Sequence, residues 1–277
     1  MNRVKVKGLM GVLVLALLAG AGGCTRTVVV EKPVPAPAPA LPQNEHLVMA
    51  VLYLQHAAEA RALRYQAYAL ARTRLDEALS HHKSPKKLAV VVDIDETVLD
   101  NSPYEGKLIK ANASYPEFWK EWCQLAQAKA IPGAVEFLNY AVSRGVDVFY
   151  VSNRRLELLE PTMENLRREG FPQVEVGHIY LRTDESSKEN RRLAIQKTHE
   201  IALLIGDNLA DFAAVFEGQS TQLRNQTVDR LKKEFGTRFI VLPNPMYGDW
   251  EGALYNYQWR LPADQKALLR HRALKDF

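Results

Sequence analysis

The chain has 277 residues, of which 47% are hydrophobic and 25% charged, and a formal net charge of +4. This composition is typical of a globular protein long enough to bury a core, as one large domain with a small appendage. Three positive charges lie in the first seven residues, at Arg3, Lys5 and Lys7. The remainder is therefore nearly neutral, which gives no electrostatic case for binding a nucleic acid polymer.

The first 24 residues have the pattern of a secretory signal that ends at a cysteine. The three cations precede a short apolar run, Leu9 to Leu18, and small residues then lead to Cys24. The run is too short to span a bilayer permanently. The pattern predicts a bacterial lipoprotein signal, in which residues 1–23 are removed and Cys24 carries lipid. Thr25, where Asp would favour the inner membrane, predicts an outer-membrane location in the cell envelope; ordinary secretion with a free Cys24 thiol is the alternative.

Residues 24–43 are predicted to be the lipid-anchor cysteine followed by a linker rich in Pro and Ala. Alternating Pro and Ala favours an extended, solvated spacer. The other cysteine, Cys123, lies close to Trp119 and Trp122 and is predicted to be a buried apolar residue. With Cys24 lipidated, no intramolecular disulfide can form.

The stretch from Asn44 to His82 is predicted to be helical. Its apolar residues recur at steps of three and four, no Gly or Pro interrupts them, and Pro85 ends the pattern. His81 and His82 at this end fit a solvated helix terminus better than a metal site.

Three short apolar runs, at residues 88–92, 146–151 and 201–205, predict buried parallel strands. Residues 239–242 form a further candidate strand. Helical patterns at 134–143 and 159–168 separate the runs. Strands that alternate with helices predict an α/β fold with a doubly wound parallel sheet.

Polar residues follow each of the three runs. The strings are DIDET at 93–97, SNRR at 152–155 and GDNLAD at 206–211. Because the carboxyl ends of parallel strands meet at one edge of a sheet, we expect these strings to lie together.

The residue types at this edge suit phosphoryl transfer to a carboxylate. Asp93 is the predicted nucleophile, and its carboxylate with that of Asp207 supplies the oxygen ligands that Mg²⁺ prefers. Asp95, two residues on, is placed to protonate the leaving oxygen and then activate water. The Ser152 hydroxyl and a lysine are expected to bind the phosphoryl oxygens.

The longer strings VVDIDETVLDNSPY (91–104) and GDNLADF (206–212) resemble the paired signature of class C acid phosphatases in the haloacid dehalogenase superfamily, and of the outer-membrane lipoprotein e group in particular. The resemblance covers roughly residues 45–260. It implies a haloacid dehalogenase-like core with a small helical cap. The phosphatase domain would be residues 44–277, with its core at about 86–260 and helical parts at 44–85, about 105–130 and the tail from Leu261.

The resemblance also implies Mg²⁺ as the cofactor, a phosphomonoester as the substrate and a role for each matching residue. Asp93, Asp95 (through its backbone carbonyl) and Asp207 would bind the metal, and Asp211 would order the shell around it. Lys188, in DESSK (184–188), best fits the phosphate-binding lysine, with Lys197 and Arg182 as alternatives. The implied catalytic set is Asp93, Asp95, Ser152 and Lys188, and the implied substrate contacts include Asn153 and Arg154.

Class C relatives hold a nucleoside base or a nicotinamide ring between aromatic side chains. The resemblance therefore implies 5′-nucleotide substrates such as nicotinamide mononucleotide and AMP, and the candidates for the ring contact are Tyr104, Trp119 and Tyr247. Each of these rings has a second interpretation, as part of the core. Relatives also suggest a homodimer.

Other functions fit the sequence less well. A calcium-binding EF-hand needs Gly at its sixth position and Glu at its twelfth, where this chain has Val98 and Tyr104. No Gly-x-Gly-x-x-Gly or Gly-Lys-Ser/Thr string supports a dinucleotide-binding or P-loop enzyme. The rival hypothesis is a surface lipoprotein that binds haem or nucleotides and has incidental phosphatase activity, with His178 or His199 as the haem ligand.

Overall fold

The structure is a computed structural model that describes residues 12–14, 29–31 and 44–277. These residues divide between two units, 1–41 and 42–277. In the first unit, strand β1 (Val12–Val14) pairs antiparallel with β2 (Val29–Glu31). The residues on which the signal and lipid-anchor predictions rest lie outside the described residues: Arg3, Lys5, Lys7 and Cys24.

The second unit is built from strands and helices that alternate along the chain. The strands are β3 (Lys87–Val92), β4 (Leu99–Asp100), β5 (Lys129–Ala130), β6 (Asp147–Arg155), β7 (Ile179–Arg182), β8 (His199–Gly206) and β9 (Phe239–Val241). The helices are α1 (Val48–His56), α2 (Ala58–His81), α3 (Ser102–Ala111), α4 (Trp119–Leu125), α5 (Ala134–Ser143), α6 (Leu159–Arg168), α7 (Glu189–Gln196), α8 (Thr221–Arg230), α9 (Asp249–Leu254) and α10 (Ala263–Ala273).

Five of these strands form one parallel sheet, in the order β7-β6-β3-β8-β9. The three predicted central strands are confirmed as β3, β6 and β8, and the further candidate as β9. Strand β7 was not predicted, because its four residues offer too short a pattern. The short strands β4 and β5 pair separately and antiparallel, directly after the first polar string.

Both faces of the sheet are buried, which explains the unbroken apolar runs. Along β3, Val90 and Val92 belong to a large cluster that includes side chains of α2, α5 and α6. Ala89 and Val91 belong to a second cluster, which includes Ile195 of α7. Successive residues of a strand point to opposite faces, so each face needs its own helical layer. The predicted doubly wound parallel sheet is confirmed.

The predicted helix over 44–82 is wrong in one respect, because the chain breaks it into α1 and α2. Ala57 has an extended backbone, with φ −75° and ψ 126°. No Gly or Pro marks this break, and Ala is the best helix former, so the sequence carried no signal for it. The break lets Val51 and Leu54 of α1 pack with Ala60 and Met246 in a small separate cluster.

Helix α2 ends where expected, at His81, and His82 lies 3.5 Å from a carboxylate oxygen of Glu200. Within the described ranges, none of the helices combines the length and the hydropathy that a membrane crossing requires.

Candidate active site

The three polar strings meet at the carboxyl edge of the sheet, as predicted. Asp93 is the first residue after β3, and its backbone N–H donates to the carbonyl of Ile205 in β8 at 2.9 Å. Asp207 is the first residue after β8, and Ser152 lies in the last part of β6. Strand pairing therefore brings residues more than 100 positions apart in the chain to one place.

Three carboxylates form the centre of this site. Asp93, Asp207 and Asp211 each offer one oxygen, and these oxygens lie within 4.8 Å of one another. The ammonium of Lys188, which is 6% exposed, donates to Asp93 and, at 2.6 Å, to Asp211. The structure thus places Lys188, rather than Lys197 or Arg182, beside the predicted nucleophile.

The site holds more negative charge than the Lys188 ammonium neutralises. Burial and the neighbouring carboxylates raise the pKa of Asp93, although Lys188 opposes the shift. Burial, followed by the charge of Asp211, raises the pKa of Asp207 to about 7. Burial alone would lower the pKa of Lys188, but Asp211 and Asp93 outweigh it and raise the pKa. Such a group of carboxylates favours a bound cation.

The donor set fits a divalent metal ion. Carboxylate oxygens are hard ligands of the kind that Mg²⁺ and similar cations take in proteins. The Asp207 carboxylate is held in place by two further donors, the Thr97 hydroxyl at 3.2 Å and the Asn244 amide at 2.8 Å. A ligand that is oriented by its own hydrogen bonds needs less ordering when a metal binds.

Asp95 has hydrogen-bond partners of its own, separate from those of the three carboxylates. Its carboxylate accepts hydrogen bonds from Arg154 Nη2 at 2.8 Å and Nε at 3.0 Å, from Asn101 at 2.8 Å and from the Ser152 hydroxyl at 3.2 Å. The guanidinium of Arg154, predicted as a substrate contact, is buried against Asp95. The two acids of the Asp-x-Asp string therefore have different surroundings, as different chemical roles require.

The segment after Ser152 carries the other predicted substrate contact. Asn153 is exposed, and its side-chain oxygen accepts a hydrogen bond from Arg191 at 2.7 Å. Ser152 is fully buried, and its hydroxyl accepts the backbone N–H of Arg154 at 3.0 Å.

The predicted aromatic contacts lie in two places. Tyr104 is 3% exposed, and its hydroxyl donates to the Glu117 carbonyl at 2.9 Å. Its ring meets Trp119 edge to face with 5.0 Å between centroids, so it supports Trp119 and has almost no open surface of its own. Trp119 is half-buried, with the guanidinium of Arg154 5.4 Å from its ring. Tyr247 packs beside the α1 cluster around Met246.

Sequence reasoning missed several residues that shape the site. Gly206 is needed because a Cβ at this position would overlap the Asp211 side chain. Glu96 is buried with a left-handed backbone, φ 56°, and accepts the backbone N–H of Asn101 at 2.7 Å. Both lie inside the strings already singled out, but their roles depend on neighbours that only the fold supplies. Asn244, Arg191 and Arg192 lie outside those strings.

The other candidate residues, His178, His199 and Cys123, make contacts that stabilise the fold. His178 bonds the Val148 carbonyl at 2.8 Å and stacks on Phe149, and His199 bonds Asp147 at 3.0 Å. Asp147 and His199 open β6 and β8, at the opposite edge of the sheet from Asp93. Cys123 is buried as predicted, and burial raises the pKa of its thiol to about 12, so it stays protonated.

The chain belongs to subfamily IIIB of the HAD superfamily, the acid phosphatases, whose family model matches residues 26–250. A class C acid phosphatase from Bacillus anthracis has a similar structure, with a TM-score of 0.83 and 45% identity, covering 85% of this chain and 99% of that one. A second structure of the Bacillus anthracis enzyme, with tungstate bound, matches with a TM-score of 0.81 and 46% identity over 84% and 98% of the two chains.

Among curated proteins, the Stem 28 kDa glycoprotein of Glycine max is 28% identical over 70% of this chain and 69% of its own length. The Stem 31 kDa glycoprotein of the same plant is 27% identical over 57% of this chain, and the match spans only 58% of that relative's length. The family and the structural neighbours indicate a phosphomonoesterase, an acid phosphatase with a haloacid dehalogenase-type fold.

Proposed function

We propose that this protein is a Mg²⁺-dependent acid phosphatase that hydrolyses 5′-nucleotides, including nicotinamide mononucleotide and AMP, through a phospho-aspartate at Asp93. The observation that carries the proposal is the Lys188 ammonium between Asp93 and Asp211, with the Asp207 carboxylate in the same group. The proposed nucleophile, the phosphate-binding Lys188 and the metal-binding carboxylates then lie together at the carboxyl edge of the sheet.

Asp93, Asp207 and the backbone carbonyl of Asp95 would hold the metal ion, with Asp211 ordering its surroundings. When bound, Mg²⁺ supplies positive charge that reduces the repulsion between the carboxylates and the phosphoryl oxygens. The side chains of this protein carry out the nucleophilic attack and the proton transfers.

In the first step, a carboxylate oxygen of Asp93 attacks phosphorus and forms a new P–O bond. The bond from phosphorus to the leaving oxygen breaks, and that oxygen takes a proton from Asp95, so the alcohol leaves neutral. Lys188 donates hydrogen bonds to the phosphoryl oxygens, and the Ser152 hydroxyl, which donates to Asp95 in the structure, would turn to them in the complex. Because Asp95 must carry a proton at this point, mildly acidic pH favours the step.

In the second step, the Asp95 carboxylate accepts a proton from a water molecule, and the water oxygen attacks phosphorus. The bond between phosphorus and Asp93 breaks, which releases inorganic phosphate and restores the Asp93 carboxylate. Arg154 and Asn101 keep the Asp95 carboxylate oriented for both transfers.

The tungstate bound to the Bacillus anthracis relative supports an oxyanion site here. Tungstate is a tetrahedral oxyanion like phosphate, and the two chains are 46% identical over 84% of this chain and 98% of that one. For the substrate's ring, Trp119 offers a half-buried face beside Arg154, with the exposed ring of Tyr115 6.1 Å away. Flat aromatic faces accept many bases with little discrimination.

The location and assembly are proposed from the sequence and the family resemblance. Residues 1–23 would be a signal peptide and Cys24 the lipid-bearing residue that tethers residues 44–277, through the linker, to the outer membrane of a bacterial cell envelope. A homodimer is proposed on the family resemblance. Metabolic labelling with a fatty acid tests the anchor, since Cys24→Ser should abolish the label.

The first experiment measures phosphate release by the form that begins after Cys24, at pH 5 to 6, with Mg²⁺ or with EDTA. The substrates are nicotinamide mononucleotide, AMP and glycerol phosphate, which has no ring. We expect turnover only with Mg²⁺, and faster turnover of the two nucleotides. Equal rates in EDTA would refute the metal requirement, and a preference for glycerol phosphate would refute the nucleotide specificity.

A further inference from the structure

Helix α7 begins directly after Lys188, the proposed phosphate-binding lysine. Lys188 is the residue immediately before the helix, and Arg191 and Arg192 follow in its first turn. Residues three and four positions apart lie on neighbouring parts of a helix surface. The two arginines therefore lie close to Lys188 on the helix surface. Arg191 reaches the end of β6, and Arg192 reaches Ala210 and Asp211.

Arg191 contacts the last part of strand β6. Its Nη1 donates to the carbonyl of Ser152 at 2.7 Å, and its Nη2 donates to the side-chain oxygen of Asn153 at 2.7 Å. Its Nη2 also donates to the carbonyl of Ser187 at 3.0 Å, directly before Lys188. One guanidinium thus joins the Ser152 segment to the segment that carries the lysine.

Arg192 fixes the same helix on its other side. It is 3% exposed, and its Nη1 donates to the carbonyls of Ala210 and Asp211 at 2.9 and 2.8 Å. Its Nη2 pairs with Glu189 at 2.5 Å. With that side held, Arg191 links Ser152 to the segment that carries Lys188.

We propose that Arg191 is a positioning residue that holds Ser152 and Asn153 at the distance from Lys188 needed to grip a phosphoryl group. This inference rests on the proposed function of the site. Both terminal nitrogens of Arg191 are already engaged by the protein, so the side chain acts through its neighbours and not by binding phosphate itself.

The contacts require the shape of arginine as well as its charge. The planar fork of a guanidinium donates in two directions at once, here to Ser152 and to Asn153, whereas a lysine ammonium is a compact point charge on a flexible stem. Arg191→Lys would keep the attraction for an anion but would lose the bridge between the segments. A positioning role therefore predicts that lysine fails to replace Arg191.

The test compares wild type, Arg191→Gln, Arg191→Lys and a matched control, Arg230→Gln, at the exposed end of α8. Calorimetry gives the Kd for inorganic phosphate, turnover of an aryl phosphate with Mg²⁺ gives KM and kcat, and thermal unfolding gives Tm. We expect both Arg191 variants to raise the phosphate Kd and KM by about tenfold or more, as the loss of charged hydrogen bonds implies. The control should match wild type.

A purely structural role would lower Tm and kcat but leave KM and the phosphate Kd unchanged in the folded fraction. The proposal is overturned if Arg191→Gln binds phosphate as wild type does, or if Arg191→Lys restores wild-type binding. Should Arg191→Gln fail to fold, Arg191→Lys decides between the same outcomes. A wild type that hydrolyses no ester refutes the proposed function alone, because the phosphate affinities still test Arg191. A wild type that hydrolyses an ester but binds no phosphate overturns the role of Arg191 alone, and one that does neither overturns both.

Discussion

The two edges of the central sheet both hold clustered charges, but they balance them differently. At the amino edge, Asp147 accepts hydrogen bonds from Lys87 at 2.6 Å, from Gln173 at 2.8 Å and from His199 at 3.0 Å. At the carboxyl edge, Asp93, Asp207 and Asp211 lie close together around the Lys188 ammonium. The charge of Asp147 is matched by the Lys87 ammonium, whereas the three carboxylates at the carboxyl edge outnumber the single Lys188 ammonium.

This difference separates a structural network from a site that is built to bind. A carboxylate with matched donors stabilises the folded chain. Carboxylates that exceed their cations cost stability until a ligand supplies the missing charge. Functional sites are where local rules of stability are commonly broken. Replacing an acid at the two edges should therefore have opposite consequences for stability, and removing a cation should cost more at the carboxyl edge.

The largest effect is expected for Asp93→Asn, which removes the proposed nucleophile and keeps the shape of the side chain. Turnover should fall by about 10⁴-fold or more, the scale seen when a nucleophile is removed. Because one buried negative charge is lost, Tm without metal should stay the same or rise. Thermal unfolding and phosphate release would be measured on the same sample, and substantial remaining turnover would contradict the phospho-aspartate mechanism.

A pair of identical substitutions compares the edges directly. Lys188→Gln removes a buried cation and leaves two carboxylates unpaired, so in EDTA at neutral pH it should cost about 3 kcal/mol of unfolding free energy and remove nearly all turnover. Lys87→Gln removes a cation whose side chain is 52% exposed, so it should cost at most about 1 kcal/mol and leave turnover intact. Equal losses of stability in urea titrations would show that the two edges do not differ.

Trp119→Ala should change specificity more than stability. Removing one stacking face should raise KM for AMP by about tenfold and leave KM for glycerol phosphate unchanged. The control is Trp259→Ala, which alters another half-exposed indole, in the C-terminal segment. A parallel rise in KM for both substrates would mean that Trp119 supports the site and does not contact the base.

A further effect concerns the amino edge and depends on pH. Burial raises the pKa of Asp147, but hydrogen bonds from Lys87, Gln173 and His199 outweigh it and hold the pKa at about 2. A lowered pKa stabilises the fold at pH values above about 4, and the contribution is lost as pH falls through 2. Asp147→Asn should therefore cost about 1–2 kcal/mol at pH 7 and progressively less below pH 4.

Urea unfolding of wild type and Asp147→Asn at pH 7 and pH 3 measures this difference, and turnover should be unaffected. A cost that stays constant down to pH 3 would indicate lost packing, with no contribution from the charge of Asp147.

The sequence predicted the place of the site better than its contacts. Parallel strands buried on both faces leave a strong apolar signal, and polar residues after them mark the edge where Asp93 and Asp207 meet. The partner of Arg154 could not be predicted, because the choice between substrate and Asp95 depends on side-chain direction. Arg191 was missed for a related reason, since its bonds go to a strand nearly 40 residues away in the chain. The break at Ala57 reflects tertiary packing that overrides local helix propensity.

Gly206 has a consequence for protein engineering and for evolution. A side chain at this position would collide with Asp211. Position 206, between strand β8 and Asp207, therefore tolerates only glycine. A saturation library at position 206, selected for growth on a phosphate ester, should return glycine alone. During evolution, the aromatic residues can be substituted as substrate specificity changes, but glycine should be retained at position 206.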